Sequence, residues 1–247
     1  MEKCGLINIF FRSLLIHASF NFRRMQNLGF AFSLVPLFRH LQRNGHHVGT
    51  LLARHLQMFN THPYFSGPII GTVVKMEEMA ASGRNGHPDD TAVLKGALMG
   101  PYAALGDSFF WGSLRPFSAI IGVTMAVNGS PMAPMAFLLL FNPPHIWIRW
   151  KGFIEGYRRG RLGVEFIRDL HLLEAARKIR WASLVVLGIL AGMASQKLCQ
   201  VSAVPDMLMK LALLALVVLC FLAIKKGFSQ TMLLYGIAFF FFLASFI

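Results

Sequence analysis

Acidic residues, cysteines and charged residues in general are scarce in this chain. Its 247 residues include 11 acids and three cysteines, and 14% are charged. An odd number of scattered cysteines gives neither a disulfide framework nor the paired spacing of a zinc site. The sequence also lacks a nucleophile elbow, a phosphate-binding glycine loop and a paired metal motif. We therefore expect no metal, no cofactor and no catalytic centre.

Hydrophobic side chains dominate instead. They make up 55% of the chain, and the mean hydropathy is +0.54, which is too apolar for a soluble domain of this size. We expect an all-α integral membrane protein. The first twenty residues lack a small-residue cleavage site, so they predict an amphipathic helix at the bilayer rather than a cleaved signal peptide. Three late apolar stretches predict transmembrane helices: Trp181–Ala194, Leu208–Ile224 and Thr231–Ile247.

The 24 basic residues give a formal net charge of +13 and are unevenly spread. Nine basic residues and four acids lie between Arg149 and Arg180, which predicts that this stretch faces the cytoplasm. The loop Gln196–Asp206 would then lie outside, and the C-terminus would face outward. No zinc-finger or aromatic RNA-binding signature accompanies the charge, so nucleic acid is not an expected partner.

The segment Lys95–Pro116 combines small apolar residues with one acid. Its glycines recur at roughly helical-turn spacing, which would let other backbones approach one face. Asp107 follows a glycine and precedes Ser108, so we expect it at a helix break or an N-cap. An acid among apolar residues at bilayer depth is costly unless it faces protein or a watery cavity. Asp107 therefore has two interpretations. It lines a pathway for a solute, or it has a structural role as a helix cap or as the partner of Arg115.

Several apolar stretches are interrupted. Asn60 and Thr61 precede His62-Pro63, and the residue before a proline disfavours the helical conformation, so a helix should stop there. Gly67-Pro68 predicts a second break. Phe117–Phe141 is split by Asn128–Pro131 into halves too short to span a bilayer, which predicts a re-entrant hairpin or a tightly joined helix pair. Broken helices at membrane depth line protein or a cavity and often form solute sites.

Asn60, His62 and the adjacent acids Glu77 and Glu78 have two interpretations each. The Asn60 amide and the His62 imidazole can bond sugar hydroxyls, or they can satisfy backbone groups at the helix break. Glu77 and its neighbour Glu78 do not face each other on a helix, so they form a poor acid–base pair, and one of them can pair with a basic residue of another helix. The histidines at 40, 46, 47 and 55 are irregularly spaced and favour a solvated turn over a metal site.

Five stretches together resemble a known family. The sequence resembles component IID of the mannose-family sugar phosphotransferase system (PTS) in order and over nearly its whole length. The matching motifs are FNFRRMQNLGF (20–30), HLQMFNTHPYFSGPIIG (55–71), KMEE (75–78), LMGPYAALGDSFFWGSLRP (98–116) and FNPPHIWIRWKGFIEGYRRG (141–160).

The resemblance implies a multi-pass subunit of the bacterial cytoplasmic (inner) membrane that acts with component IIC to move a hexose inward. Components IIA and IIB would relay phosphate, so this subunit would carry no phosphohistidine of its own. It also implies one IID membrane domain over 1–247, with a motif-bearing region (1–180) of broken and re-entrant helices and a C-terminal helical region (181–247). The candidates for the sugar pathway or the IIC interface are Asn60, His62, Glu77, Asp107, Ser108 and Arg115.

Two features depart from the family pattern. Arg23 stands where the family is expected to have an acid, and the loop 196–206 is shorter than usual. They leave open a divergent membrane partner that retains the fold without transport. An intramembrane enzyme using Asp107, His62 or Glu77 is a further alternative, and it lacks a supporting motif.

Overall fold

A computed structural model describes residues 3–83, 88–201 and 206–244, and their regular structure is helical. Two isolated β-bridges, Asn21–Met25 and Met25–Phe59, are the exceptions within this part of the chain. The helices are α1 (Lys3–Ser13), α2 (Asn27–Ser33), α3 (Val35–Arg43), α4 (Val48–His55), α5 (Ser66–Ala81), α6 (Pro88–Gly106), α7 (Arg115–Val127), α8 (Ala133–Arg159), α9 (Gly163–Asp169), α10 (Leu172–Val201), α11 (Asp206–Lys225) and α12 (Gln230–Ala244). Short 3₁₀ turns cover Pro63–Phe65 and Gly160–Leu162, and a π-helix covers Asp107–Leu114.

Close packing of α5 against α8 forms the centre of the first part of the chain. A Cβ added at Gly67 would lie 2.5 Å from the Arg149 carbonyl oxygen, and one at Gly71 would lie 2.2 Å from the Phe153 carbonyl oxygen. A Cβ added at Gly156 of α8 would lie 2.4 Å from the Pro68 carbonyl oxygen of α5. Small residues allow two helix backbones to approach in this way, so these glycines fix the position of α5.

The segment around Asp107 is continuous helix, which corrects the predicted break. Gly106 has φ −64° and ψ −45°, so α6 runs directly into the π-helix and then into α7. Among the described residues, this helix, Asp90–Val127, is the one long and apolar enough to cross a membrane. The π-helical stretch absorbs an extra residue within the helix instead of ending it.

Residues 60–62 are not helical, as predicted, but the helix before them ends earlier than the predicted position. Helix α4 ends at His55, residues 56–62 are not helical, and His62 is extended (φ −60°, ψ 129°). The second predicted break, at Gly67-Pro68, is wrong because α5 begins at Ser66 and places Pro68 in its first turn. There the missing proline N–H has no helical partner to lose.

The interrupted stretch 117–141 forms a helix pair, not two short halves. Helix α7 ends at Val127, a turn with Gly129 at φ 75° follows, and α8 begins at Ala133. Each half continues into a longer helix, so the predicted half-lengths are wrong. Pro143 and Pro144 lie inside α8 without ending it. Whether the pair is re-entrant stays a prediction.

The chain divides into two compact units, Met1–Val186 and Leu187–Ile247. Helices α10, α11 and α12 cover the three predicted C-terminal spans, except for the last residues, 245–247, which lie outside the described part. Helix α10 continues to Val201, so the predicted outer loop at 196–206 begins as helix, and its residues 202–205 are also outside that part. That these helices cross a membrane stays a prediction.

Candidate functional site

A polar cavity opens where the non-helical residues 56–62 pass the junction of α6 and the π-helix. Its volume is about 270 Å³. Three of the predicted site residues, Asn60, His62 and Asp107, line it together, although they come from separate parts of the chain. The full lining of this polar cavity comprises His17, Phe20, Gln26, Asn60, Thr61, His62, Pro63, Ala103, Asp107 and Trp111.

The His62 ring is fixed by aromatic neighbours and by a glycine. It is 2% exposed, stacks on Phe110 with ring centroids 5.3 Å apart, and lies 4.7 Å from Trp111. Gly106 makes room for it, because a Cβ at that position would come 2.3 Å from the His62 side chain. The glycine just before Asp107 therefore serves the approach of His62 rather than a helix break.

Hydrogen bonding indicates which His62 nitrogen carries the proton. Nδ1 accepts a 3.3 Å hydrogen bond from the Tyr64 backbone N–H, so the neutral ring is protonated at Nε2. Burial, together with the basic side chains of His17, Arg149 and His145, lowers the pKa of His62 to about 3. Nε2 is buried and has no protein partner among the described residues. A buried donor without a partner is rare in a folded protein, and this one belongs to a side chain that lines the cavity.

Gln26 holds the non-helical segment in place, a role that the sequence did not reveal. Its Nε2 donates to the Thr61 carbonyl at 2.7 Å, and its Oε1 accepts from the Thr61 N–H at 3.2 Å. The Gln26 backbone N–H donates to the Phe59 carbonyl at 2.8 Å, and Nε2 also lies 2.7 Å from His17 Nε2. Its occurrence in the motif FNFRRMQNLGF was the one available signal.

Asp107 is exposed at the first residue of the π-helix and lines the cavity beside Ala103 and Trp111. The two structural roles expected for it are not seen. The residue before it is already helical, so Asp107 is not an N-cap. The ion pairs formed within the described residues do not include one between Asp107 and Arg115.

Ser108 and Arg115 lie outside the lining of the polar cavity. Ser108 is half-buried, and its carbonyl accepts a 2.8 Å hydrogen bond from Ser113 Oγ, which spans five residues of the π-helix. Arg180 Nη1 donates to the same Ser113 hydroxyl oxygen at 3.0 Å. Arg115 is exposed at the start of α7. The structure therefore gives Ser108 a backbone role and leaves Arg115 at the surface.

Glu77 belongs to a separate buried cluster formed by Arg54, His55, Glu77 and Lys95. Arg54 Nη2 lies 3.1 Å from Glu77 Oε2, and His55 Nε2 lies 3.0 Å from Glu77 Oε1. Lys95 Nζ donates to the Arg54 carbonyl at 3.2 Å. Glu77 and Lys95 are each 2% exposed. The hypothesis that one of the two adjacent acids pairs with a basic residue of another helix is confirmed.

The charge state of His55 follows from its burial. Burial lowers the pKa of His55, and the hydrogen bond and charge of Glu77 oppose this without reversing it. The geometry agrees, because His55 Nδ1 is buried without a partner in the described residues, as suits an unprotonated nitrogen. His55 is thus a neutral donor to Glu77, which accounts for one histidine of the irregular cluster. Among the described residues, no group of three or more His, Cys, Asp or Glu side chains is placed to hold a metal.

The chemistry of the polar cavity suits a neutral, hydroxyl-rich ligand. Asp107 offers a carboxylate acceptor, His62 Nε2 an unused donor, and Asn60 an amide with both functions. The Trp111 and Phe20 rings supply apolar surface beside these groups. Because the imidazole is neutral and Asp107 is the one carboxylate in the lining, the cavity carries little net charge, which suits an uncharged ligand.

Sequence comparisons relate the whole chain to a known family. The family model of the PTS system mannose/fructose/sorbose family IID component matches residues 1–247. The mannose-specific EIID component of Escherichia coli (strain K12) is 38% identical over 173 residues, which is 69% of this chain and 59% of that protein. The sorbose-specific EIID component of Klebsiella pneumoniae is 39% identical over 167 residues, 67% of this chain and 59% of that protein. The fructose permease IID component of Bacillus subtilis (strain 168) is 32% identical over 196 residues, 79% of this chain and 70% of that protein.

The fold is also similar to solved structures. A chain of the complex between the mannose transporter ManYZ and microcin E492 (MceA) has a TM-score of 0.62 and 29% identity, covering 99% of this chain and 95% of that one. A structure described only as a membrane protein gives a TM-score of 0.75 and 28% identity, with coverage of 99% and 96%. The chain belongs to the IID components of the mannose/fructose/sorbose family of the PTS system.

Proposed function

We propose that this chain is the IID subunit that acts with a IIC subunit to translocate a hexose across the bacterial cytoplasmic membrane. Phosphoryl transfer from the soluble components IIA and IIB would accompany translocation on the cytosolic side. The match of the family model to all 247 residues carries this proposal. The relatives' names, which specify mannose, sorbose and fructose, support a hexose as the substrate class.

We further propose that the substrate passes through the polar cavity. We assign Asn60, His62 and Asp107 to the sugar pathway, because together they offer a hydrogen-bond donor, an acceptor and an amide at one opening. Arg115 lies exposed on the helix that carries Asp107, and we assign it to the interface with IIC. Ser108 supports the π-helix that presents Asp107. We assign Glu77 to holding α4 against α5 through Arg54 and His55, because it does not line the polar cavity.

Uptake by the assembled system tests the proposal. The chain would be expressed with IIC, IIA and IIB in cells lacking their own hexose PTS, and entry of labelled mannose, fructose and sorbose would be measured. We expect uptake of at least one sugar. Asp107→Asn should lower it about tenfold or more, because a hydrogen bond to a charged group contributes about 1.5–3 kcal/mol.

Matched controls separate the pathway from assembly. Asp169→Asn removes an exposed carboxylate that does not line the cavity, and it should leave uptake unchanged. Co-purification with tagged IIC should be the same for wild type, Asp107→Asn and Asp169→Asn. Wild-type uptake by Asp107→Asn would contradict its place in the pathway. Failure to co-purify with IIC would contradict the subunit assignment.

The absence of a phosphorylated residue is a separate part of the proposal. The chain would pass sugar without accepting the phosphoryl group itself. Incubation of the complete system with labelled phosphoenolpyruvate should label IIA and IIB and leave this chain unlabelled. Acid-labile label on this chain would contradict that statement.

A divergent, non-transporting membrane partner is the second candidate. The exposed Arg23, at a position where the family is expected to carry an acid, favours it. Stable co-purification with IIC without uptake of any hexose would identify this case. Restoration of uptake by Arg23→Glu would then trace the loss to the reversed charge.

A further inference from the structure

An apolar groove lies between α1 and the second half of α8, apart from the polar cavity. Its volume is about 330 Å³. Phe153 forms an enclosed part of it at 3% exposed, whereas Ile7 and Trp150 remain 45% and 40% exposed beside it. Leu6 and Ile154 complete the apolar lining. The groove therefore presents only hydrocarbon and aromatic surface to a ligand, which suits an acyl chain.

Two ammonium groups accompany this apolar surface. Lys3 lines the groove, and Lys75 Nζ lies 5.6 Å from the ring centroid of Tyr157, which also lines it. Neither lysine forms an ion pair within the described residues. The acid near them, Glu78, accepts a 2.9 Å hydrogen bond from the Tyr157 hydroxyl. The groove thus combines an apolar lining with two lysines that form no ion pair among the residues that the structure describes.

The predicted orientation places the groove at an anionic surface. The half of α8 that lines the groove lies within the stretch expected to face the cytoplasm. It carries the exposed Arg158, together with Lys151 and Arg159, which share Glu155 as their acidic partner. The cytoplasmic leaflet is rich in anionic lipid, and basic residues near a membrane surface are attracted to it. The partly exposed Trp150 is of the residue type that favours the boundary between lipid and water.

We infer that the apolar groove binds an anionic phospholipid, with an acyl chain along Leu6, Ile7 and Trp150 and its phosphate near Lys3 and Lys75. An acyl chain of any phospholipid fits the apolar lining. The lysines favour an anionic headgroup over a zwitterionic one, because a zwitterionic lipid carries its own positive charge next to the phosphate and would be repelled by them. The site is independent of the polar cavity, so its test does not depend on which sugar the complex carries.

Tryptophan fluorescence provides a local readout. The full chain with Trp111, Trp147 and Trp181 changed to Phe retains Trp150 as its single tryptophan. It would be reconstituted in phosphatidylcholine vesicles with a matched series of increasing mole fractions of either acyl-brominated phosphatidylglycerol or acyl-brominated phosphatidylcholine. Bromine quenches tryptophan on contact. We expect half-maximal quenching of Trp150 at a several-fold lower fraction of the brominated phosphatidylglycerol.

Charge variants test the assignment of the headgroup. Lys3→Gln and Lys75→Gln should each reduce the preference for phosphatidylglycerol about fivefold, from the usual attraction of one basic residue to an anionic surface. Lys178→Gln, an exposed lysine that does not line the groove, should leave the preference unchanged. Equal quenching by both lipids, or a preference unaffected by both groove lysines, would overturn the inference.

Native mass spectrometry of the wild-type chain supplies a second measurement that needs no tryptophan replacement. We expect a retained phosphatidylglycerol adduct when both lipids are offered, and its loss in Lys3→Gln, where the substituted side chain is exposed and folding is not at risk. Ile7→Asp should also abolish the adduct by placing a charge in the apolar lining. Retention of phosphatidylcholine in equal amount would show a groove without headgroup selectivity and refute the proposal.

Discussion

Replacing Glu77 by Gln should strongly destabilise the protein. Glu77 is 2% exposed and compensates Arg54 at 3.1 Å, while its other oxygen accepts from His55 at 3.0 Å. Gln keeps the volume but removes the charge, leaving the cations of Arg54 and Lys95 in the interior without a carboxylate. Breaking a buried ion pair from one side costs about 3–5 kcal/mol. For a chain of this size, that corresponds to an apparent unfolding temperature lower by about 6–20 °C.

Thermal unfolding of the purified chain in one detergent at one scan rate measures this change. Glu165→Gln is the matched control, because Glu165 is exposed on α9 and its loss should alter stability by about 0.5 kcal/mol or less. Arg54→Gln combined with Glu77→Gln should cost less than the two single changes added together, since the double variant leaves one fewer uncompensated charge. An unfolding temperature of Glu77→Gln within about 2 °C of wild type would refute the reasoning.

Three further predictions concern Gly106, Arg149 and His55. Gly106→Ala should cost about 1–3 kcal/mol of stability because its Cβ would come 2.3 Å from His62, whereas Gly96→Ala, with open space, should be neutral or stabilising in thermal unfolding. Arg149→Met should cost about 1.5–3 kcal/mol in the same assay, since Nη2 donates at 3.2 Å to the last carbonyl of α1, and an unchanged melting curve would contradict that role. Because the pKa of His55 is lowered in the folded state, the unfolded chain binds the extra proton, so stability should fall as pH drops below about 6.5, by up to about 1.4 kcal/mol per pH unit for this group. His55→Gln should make that dependence shallower and leave the share of His62, whose pKa burial also lowers. An equally steep curve for the variant would exclude His55 as a contributor.

Local sequence rules located some features and misplaced others. The extended backbone of His62 was predictable because the pre-proline effect acts on the adjacent residue, whereas the end of α4 at His55 was not. The same dipeptide logic failed at Pro68, since a proline is tolerated in the first turn and the helix start was not fixed by local sequence. At Gly106 the glycine was interpreted as a break, although it serves the approach of a side chain from elsewhere in the chain.

The contacts that build the site join residues far apart in the sequence, and no residue pattern predicted them. The glycine spacing of 95–116 predicted close packing on that helix, yet a Cβ at Gly96 or Gly100 would meet no neighbour. The tight backbone contact lies instead between α5 and α8, at Gly67 and Gly71. Gln26 clamps Thr61 across 35 residues, a pairing visible only once the helices are placed.

The most direct test of the central claim is protection of the polar cavity by sugar. Asn60 is exposed at the opening, so Asn60→Cys, in a chain with the native cysteines at 4, 199 and 220 changed to serine, can be labelled by a water-soluble thiol reagent in the complex with IIC. We predict that at least one of mannose, fructose and sorbose slows this labelling, while labelling of a cysteine at the exposed position 169 is unaffected. Equal labelling rates at position 60 with and without each sugar, in a complex shown to take up that sugar, would contradict the account.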